Sequence, residues 1–398
     1  MRKTYKFRLY PNKGQIAILE RTLETCRILY NDLLAERKDT YKEIGHSPSY
    51  YKQKRGLIQR KVNDPYLSEV YSQVLQDVAL RVNRSFENFF KGIKDGRKVG
   101  YPRFKGRPRY DSLTYPQYTN GAELRNGKLQ LSKIGIIRIF QHRPIPTNAT
   151  IKTCTVRKDV DKWYACFSVE IEDAPQRLCE GNGQVGVELG LNSLITLSNG
   201  EKVEPPKFMR KSERKLKREQ RRLSRKKKGS QNRNKQRIKL VRIHRKIRLQ
   251  RAYFNHELSR MLVNRFDVIG FENLRIPNMI KNHGLAKSIS DAGWGQLRLF
   301  TSYKAEEAGK IVKIVESYGT TVGCSRCGFH VPKKLSTRKH ECPNCGFVVD
   351  RDWNAALNIL KKVGGGTAEF TPVEIQPLLC QPVVAEQVGS RKQEAHVL

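Results

Sequence analysis

Two Cys-x-x-Cys pairs near the C-terminal end of the sequence offer four sulfur ligands to one metal ion. Cys324 and Cys327 form the first pair, and Cys342 and Cys345 form the second. A two-residue gap lets one tight turn present two thiolates to the same ion, and four thiolates satisfy tetrahedral Zn²⁺. The spacing therefore predicts a closed, structural zinc site in a ribbon that covers residues 320–348.

The spacer between the pairs contains His330 and His340, and either could replace a cysteine as a zinc ligand. A closed site with four protein ligands leaves no open position for a substrate. Any catalytic chemistry must therefore come from other residues.

Three carboxylates occupy positions from which divalent cations can be bound. Glu188 lies on a predicted strand between Gly186 and Gly190, Glu272 ends a second predicted strand, and Asp352 begins a predicted helix. Mg²⁺ or Mn²⁺ takes oxygen ligands from separate elements, and two such ions about 3.5–4 Å apart promote phosphodiester cleavage. The glycines would leave room for a metal ion and a nucleic-acid backbone beside Glu188. Spacing alone does not prove that the three converge, and Asp352 could instead cap its helix.

The charge of the chain indicates a polyanionic partner. Its 398 residues include 77 Lys and Arg against 38 Asp and Glu, a formal net charge of +39. This excess is far beyond what solubility needs and is typical of nucleic-acid-binding proteins. No apolar run is long enough for a membrane span, and the N-terminal MRKTYKFRLYP has no apolar signal core, so we expect no membrane association. The metal-type cysteine pairs suit a reducing compartment.

Periodicity separates a strand-rich region from helical regions. Residues 4–10 alternate as a short strand, and helical spacing follows over residues 13–41 and 68–92. Five short alternating segments between residues 111 and 172 predict a small β-barrel or curled sheet. Further strands are predicted at residues 184–197, 266–274 and 311–317, a polar loop at 282–294, and a helix at 297–309.

Two basic segments are candidates for nucleic-acid binding. Residues 207–251 predict two basic helices joined by a polar turn, GSQNRN. Charges this dense repel one another unless they are neutralised, so a polyanion lying along the helices is favoured. The candidate phosphate contacts there are Arg237, Lys239, Arg242 and Arg245. Residues 96–109 form an extended loop with aromatic and basic residues interleaved, which suits backbone and base contacts by Tyr101, Arg103 and Lys105.

Four further residues could read DNA bases. Gln73 and Gln76 lie on the second helical stretch, and a glutamine amide can pair with adenine in the major groove. Thr114 and Tyr115, on the strand that follows, compete for the same role.

Taken together, these segments resemble the TnpB family, transposon-encoded RNA-guided DNA endonucleases related to the small type V CRISPR effectors. The resemblance covers essentially the whole chain, and its most specific part is CPNCG with DRDWNAALNIL. The other segments that carry it are YKFRLYP, NFF with GYPRFK, VGVELGLNS, the basic helices ending in FNHELSR, FENL, KSISDAGW and SYGTTVGCSRCG.

The resemblance implies a multidomain α+β fold. A wedge β-barrel with an inserted helical recognition domain would precede a RuvC-like (RNase H) α/β nuclease domain with an inserted zinc ribbon. The implied bounds are 1–12 for the first wedge strand, 13–95 for the recognition domain, 96–178 for the wedge barrel, 179–363 for the nuclease domain with the basic helix pair 207–260, and 364–398 for a disordered tail.

The resemblance also implies partners and cofactors. Members of the family read a short transposon-adjacent DNA motif through protein and the rest of the target through a guide RNA. The implied partners are therefore a transposon-derived guide RNA and double-stranded target DNA, with a protein monomer on one RNA in a prokaryotic cytoplasm, at the nucleoid. The implied cofactors are structural Zn²⁺ and catalytic Mg²⁺ or Mn²⁺, the latter held by Glu188, Glu272 and Asp352.

One position departs from the family pattern. The family has aspartate as its first RuvC carboxylate, in a pattern like GIDLG, and this chain has Glu188. The extra methylene moves the carboxylate by about 1.5 Å at full extension. Three functions stay open: an attenuated RNA-guided nuclease, a nuclease-dead RNA-guided transcriptional repressor, and a DNA-binding factor that works without RNA.

Overall fold

The computed structural model describes residues 2–172, 183–334 and 337–364 of the chain. It contains two compact units, Met1–Ala174 and Pro175–Leu398. The tail predicted to be disordered lies outside the described residues except for Gly364, which ends a helix. None of the described helices combines the length and apolar character that a membrane crossing requires.

The first unit is built on one antiparallel sheet of seven strands. Its strands are β1 Arg2–Tyr10, β2 Ser112–Tyr115, β3 Ala122–Arg125, β4 Lys128–Leu131, β5 Gly135–Phe140, β6 Ala149–Asp159 and β7 Lys162–Ile171, paired in the order β2-β6-β7-β1-β5-β4-β3. The two edges of the sheet approach each other: the Tyr115 hydroxyl on the edge strand β2 donates to the carbonyl of Ser132, which follows β4, at 3.4 Å. The sheet therefore curls towards a barrel, as its alternation predicts.

Four helices separate β1 from β2 in the chain: α1 Lys13–Ile44, α2 Tyr50–Asn63, α3 Pro65–Ser68 and α4 Ser72–Lys94. Helix α1 begins at a capping box in which Asn12 and Gln15 each accept from the other's backbone N–H. It ends at Gly45, whose φ of 76° suits glycine. The sequence does not predict α2, since Gln53 and Leu57 are its only buried residues and so little apolar periodicity is visible.

The second unit contains a mixed sheet of five strands, with the order β10-β9-β8-β11-β12. Strands β8, β11 and β12 are parallel, and β9 and β10 add an antiparallel edge. The bounds are β8 Gln184–Leu189, β9 Ile195–Leu197, β10 Lys202–Val203, β11 Val268–Glu272 and β12 Ile311–Val315.

Helices cover this sheet, and a small ribbon precedes the last of them. The helices are α5 Phe208–Ser224, α6 Gln231–Arg265, α7 Ile276–Met279, α8 Ala286–Ala292, α9 Trp294–Glu307 and α10 Arg351–Gly364, and the ribbon strands are β13 Lys339–Glu341 and β14 Val348–Asp350. The predicted basic helix pair is α5 and α6, joined through Leu216, Leu223, Leu240 and Ile247.

Two sequence predictions are wrong in detail. Residues 282–294 were expected to form a polar loop but contain α8, which is too short for a clear apolar period and ends at Gly293 with φ 68°. The helix predicted from about residue 68 to 92 begins four residues later, because α3 ends at Ser68 and the continuous helix α4 covers Ser72–Lys94.

Candidate metal centres and nucleic-acid surfaces

Glu188 and Glu272 lie side by side on neighbouring parallel strands. Val187 on β8 pairs with Phe271 on β11, and one step along the same register places Glu188 level with Glu272. Neighbouring strands are about 4.8 Å apart, and residues in register on parallel strands face the same side. The two carboxylates therefore share one face of the sheet.

Helix α10 packs on that same face by way of two glycines. A Cβ built at Gly186 would lie 2.1 Å from the Ala356 carbonyl oxygen, and one at Gly270 would lie 2.2 Å from Val363 Cγ2. Only glycine allows this approach of helix to strand. The space beside Gly186 is thus filled by α10, which corrects the expectation that this glycine makes room for a metal ion.

The packing of α10 carries Asp352 to the two glutamates. Asp352 lies in the first turn of α10, one turn before Ala356. Its Oδ2 lies 3.9 Å from a Cβ built at Gly190, the residue two positions beyond Glu188. All three predicted carboxylates are therefore positioned by β8, β11 and the start of α10.

Asp350, and not Asp352, caps the N-terminus of α10. The Asp350 Oδ1 accepts from the backbone N–H of Asp352 at 2.9 Å and of Trp353 at 3.2 Å. This is the side-chain bond that an N-cap makes. The Asp352 carboxylate is therefore not needed as the helix cap. The sequence contained a signal for this, because Asp350 also lies at the start of the helix, two residues earlier.

The electrostatics of the cluster are those of a cation site. Burial, then repulsion from Glu272 and from Asp352, raises the pKa of Glu188 well above its usual range. Burial also raises the pKa of Glu272, opposed by a hydrogen bond from Thr320. The Oε2 atom of Glu188 is buried and has no hydrogen-bond partner. A buried, unpartnered carboxylate oxygen beside two other acids is unfavourable while it is ionised, so a proton or a bound cation is needed to neutralise it.

The Asp352 carboxylate is also held from its own helix. Arg351 Nε and Nη2 both donate to Asp352 Oδ1, at 3.0 and 2.9 Å, and Arg351 Nη1 donates to the Thr337 carbonyl at 3.1 Å. This fork fixes the orientation of Asp352 and supplies one local positive charge.

The four predicted zinc ligands converge. Their sulfur atoms all lie within 4.8 Å of one another, with Cys324 to Cys345 at 3.7 Å and Cys327 to Cys342 at 3.5 Å. A tetrahedral zinc with Zn–S bonds of about 2.3 Å separates its sulfurs by about 3.8 Å, and both of these sulfur–sulfur distances are close to that value.

Neither spacer histidine belongs to the sulfur cluster. His330 is exposed, and His340 is fully buried with its Nδ1 in contact with Lys333. Among the described residues, the four-cysteine group is the one cluster of metal-ligating His, Cys, Asp and Glu atoms this compact. The all-cysteine ligand set is thus favoured over the histidine alternatives.

Loss of a knuckle cysteine is expected to remove zinc and stability together. Cys324→Ser or Cys342→Ser breaks a four-ligand site whose binding energy is part of the folding energy. Zinc content by elemental analysis and the melting temperature should both fall. Cys154→Ser, in the buried core of the first unit, is the matched control and should lower stability with zinc content intact. A full zinc complement in a Cys324→Ser, Cys342→Ser double variant would contradict this site.

The predicted phosphate contacts on α6 lie at its surface. Arg237, Lys239 and Arg242 are exposed, and Arg245 is half-buried. Leu240 and Ile247 on the same helix point into the seam with α5, which leaves the basic residues on the outer side. The arrangement fits a polyanion lying along the helix.

The predicted basic loop, residues 96–109, packs in part against helices of the first unit. Tyr101 packs edge-on against Phe86 and Phe89 at 5.6 and 5.2 Å between ring centroids, yet remains 42% exposed. The Lys105 backbone N–H donates to Asn31 Oδ1 at 2.7 Å, which anchors the loop to α1. Arg103 is exposed. The structure thus places these residues on a fixed, basic loop.

The candidate base-reading residues differ in whether their side chains hydrogen-bond within the protein. Gln73 donates to Gln117 Oε1 at 2.6 Å, and Thr114 Oγ1 accepts from Arg81 at 2.8 Å. Gln76 instead lines an open groove between α2 and α4. The groove's other lining residues are Tyr51, Lys54, Arg55, Leu57, Ile58, Lys61, Ser72 and Leu75.

The outer face of the seven-stranded sheet forms a further basic and aromatic surface. Arg8 on β1 pairs across the sheet with Tyr164 on one side and Phe140 on the other, and Tyr10 pairs with Arg138. Phe140 is 59% and Tyr10 53% exposed. This surface could have been predicted from the alternation in YKFRLYP, which places Arg8 and Tyr10 on the face of β1 opposite the core.

Three family models match the chain. The model described as "Probable transposase" matches residues 166–283, and the "Cas12f1-like, TNB domain" matches residues 294–359. A "Helix-turn-helix domain" matches residues 1–46, where the structure has β1 followed by the single long helix α1.

Relatives match along nearly the whole chain. A Streptomyces pristinaespiralis protein named "Putative RNA-guided DNA endonuclease" is 36% identical over 367 residues, which cover 90% of this chain and 89% of the relative. The Escherichia coli K12 protein "Putative RNA-guided DNA endonuclease InsQ" is 31% identical over 379 residues, covering 90% and 91%. The solved Cas12f1-sgRNA-target DNA complex contains a chain with a TM-score of 0.54 and 14% identity, covering 88% and 83%, a likeness of fold.

Proposed function

The chain belongs to the TnpB family, and from that membership we propose that it is an RNA-guided DNA endonuclease of an insertion-sequence transposon. Two relatives of nearly full length carry that activity in their names. The proposed partners are a transposon-derived guide RNA and double-stranded DNA beside a short motif, with one monomer on one RNA. The protein would act on nucleoid DNA in the cytoplasm.

The single observation that carries the nuclease proposal is the carboxylate cluster. Glu188 and Glu272 lie on neighbouring strands, Asp352 is near enough to raise the pKa of Glu188, and the buried Glu188 Oε2 has no hydrogen-bond partner. This arrangement supports the proposal of a divalent-cation site. These residues would hold Mg²⁺ or Mn²⁺. When bound, two divalent cations promote phosphodiester hydrolysis by lowering the pKa of the attacking water and stabilising the leaving oxygen.

The chain's own residues prepare that site. β8 and β11 present the two glutamates on one face, Gly186 and Gly270 admit α10, and Arg351 orients Asp352. The RuvC-like assignment of this unit, and a structural Zn²⁺ in its ribbon, belong to the same proposal.

The proposed nucleic-acid surfaces are basic and exposed. The outer side of α6 would bind the RNA or DNA backbone, and the loop with Tyr101, Arg103 and Lys105 would add stacking and phosphate contacts. The outer sheet face around Arg8 offers the same chemistry to unpaired nucleotides.

Neutralising Arg237, Lys239, Arg242 and Arg245 together to glutamine is expected to weaken binding to all sequences alike. Each lost phosphate contact removes about 0.7–0.9 from the slope of log affinity against log salt, so the slope should flatten by about 3. Filter binding or fluorescence anisotropy across a salt series measures it. Arg265→Gln is the control, because Arg265 lies in the last turn of the same helix and outside the predicted set of phosphate contacts. An unchanged slope in the fourfold variant would show that these residues only face solvent.

Gln76→Ala is expected to relax the preference for the DNA motif. A glutamine amide paired with a base discriminates by about 1–3 kcal/mol. A binding assay with randomised flanking DNA measures the preference. Gln73→Ala should have the smaller effect, because its amide nitrogen already donates to Gln117. If motif preference survives Gln76→Ala intact, Gln76 does not read the motif.

Glu188 supports a second candidate function, a nuclease-dead RNA-guided repressor. The residue departs from the family aspartate, and its longer side chain could misplace a metal ion by more than the roughly 0.5 Å that a functional site tolerates. Plasmid cleavage with bound RNA and Mg²⁺ or Mn²⁺ separates the two. A complex that binds its guided target without cutting would make the repressor the better assignment.

A further inference from the structure

The carboxylate of Glu272 is held by a threonine from the entrance to the zinc ribbon. Thr320 Oγ1 donates to Glu272 Oε1 at 2.8 Å, and Thr320 is fully buried. The same hydroxyl also lies 2.9 Å from the Ser317 carbonyl. A hydroxyl has one proton to donate, and an ionised carboxylate is the stronger acceptor, so the bond to Glu272 is favoured while Glu272 is charged.

Thr320 is in turn held by the helix that carries Asp352. Asn358 Nδ2 on α10 donates to the Thr320 carbonyl at 2.8 Å and to the Gly323 carbonyl at 2.7 Å. Both bonds join α10 to the short segment that leads from β12 into the first cysteine pair.

The first zinc knuckle is tied to the same helix. Asn354, one turn before Asn358, donates to the Gly323 carbonyl at 2.8 Å and accepts from the Ser325 N–H at 2.9 Å. Ser325 directly follows Cys324, and Asn354 is fully buried. The knuckle, Thr320 and α10 thus form one hydrogen-bonded unit.

We infer that Thr320 is a positioning residue, which transmits the fixed geometry of the zinc knuckle and α10 to the Glu272 carboxylate. The inference rests on the proposed function, since it concerns a residue that supports a divalent-cation ligand. The zinc ribbon would then do more than stabilise its own fold, because it would set the orientation of the Glu272 carboxylate.

The expected effect is on cation affinity. Partners that orient a metal ligand cost about 10–100-fold in metal affinity or activity when they are removed. Thr320→Val keeps the shape and removes the hydroxyl, so it should weaken Mn²⁺ binding within that range. Thr320→Ser keeps the hydroxyl and should restore most of the affinity.

The test is Mn²⁺ binding to the full-length protein, followed by electron paramagnetic resonance, with Glu272→Gln marking the binding that does not involve the cluster. Thr301→Val is the matched control, because Thr301 is also fully buried but donates to Leu297 within α9 at 2.9 Å. Zinc content is measured in every variant. Asn358→Ala removes the hydrogen bond from α10 to the Thr320 carbonyl and so tests that contact independently. It also covers the case in which Thr320→Val does not fold.

Weaker Mn²⁺ binding in Thr320→Val and Asn358→Ala, with zinc retained and with rescue by Thr320→Ser, supports the inference. A variant that combines Thr320→Val and Asn358→Ala should bind Mn²⁺ no more weakly than Thr320→Val alone, since Asn358 acts through Thr320. Wild-type affinity in Thr320→Val, beside a clear loss in Glu272→Gln, overturns the inference and leaves the proposed nuclease site standing. A wild-type protein that binds no more Mn²⁺ than Glu272→Gln overturns both.

Discussion

Replacing Glu272 by glutamine or Asp352 by asparagine is expected to lower cleavage of a guided DNA target at least about a thousandfold. Both side chains belong to the cluster that would hold the divalent cations, and such ions contribute several kcal/mol of transition-state stabilisation. About 4 kcal/mol corresponds to a factor of about 1,000 in rate. Binding of the guided target should stay close to that of the wild type, because neither residue lies on the basic surfaces.

Asp350→Asn is the matched control for this loss. Asp350 lies two residues before Asp352 and accepts from the first N–H groups of α10 at 2.9 and 3.2 Å. Asparagine is also a good N-cap, so this variant should cut DNA at nearly the wild-type rate. Equal loss of cleavage in Asp350→Asn and Asp352→Asn would show that the helix end matters and not the Asp352 carboxylate.

Glu188→Asp is expected to raise the cleavage rate, by up to about a hundredfold. A misplacement of about 1 Å in a catalytic group can cost that factor. The strand cannot readily shift to suit the longer side chain, because a Cβ at Gly186 would already lie 2.1 Å from the Ala356 carbonyl oxygen of α10. The shorter aspartate should therefore restore the family geometry.

Single-turnover cleavage of a guided duplex at saturating Mg²⁺ measures the effect. Glu188→Gln is the control, since it keeps the length and removes the charge, and it should be at least as inactive as Glu272→Gln. A lower rate in Glu188→Asp would mean that the site is built around glutamate, and the attenuation argument would fail.

Much of the candidate site was visible in the sequence because its signals are local. The Cys-x-x-Cys spacing contains the geometry of a knuckle, and alternation on the strands places Glu188 and Glu272 on the same face as Gly186 and Gly270. Both follow from a few consecutive residues. The curled sheet was predictable because its strands alternate, and the basic helix pair because dense Lys and Arg residues flank a polar turn.

The remainder depends on contacts between residues distant in the chain. No local pattern shows that α10 lies on Gly186, and so the glycine was assigned to the metal. Thr320 bonds Glu272 across 48 positions, and a lone threonine carries no signal of that. Helix α8 was missed because seven residues are too few for a period to stand out.

The most direct test of the central claim is plasmid cleavage by the protein purified with its RNA. With Mg²⁺ or Mn²⁺ and a guide reprogrammed to a new sequence beside the motif, we expect cutting at the new site and none after RNase treatment or with Glu272→Gln. A protein that purifies without a discrete RNA, or that binds the guided plasmid and never cuts it even as Glu188→Asp, would contradict the assignment as an RNA-guided endonuclease.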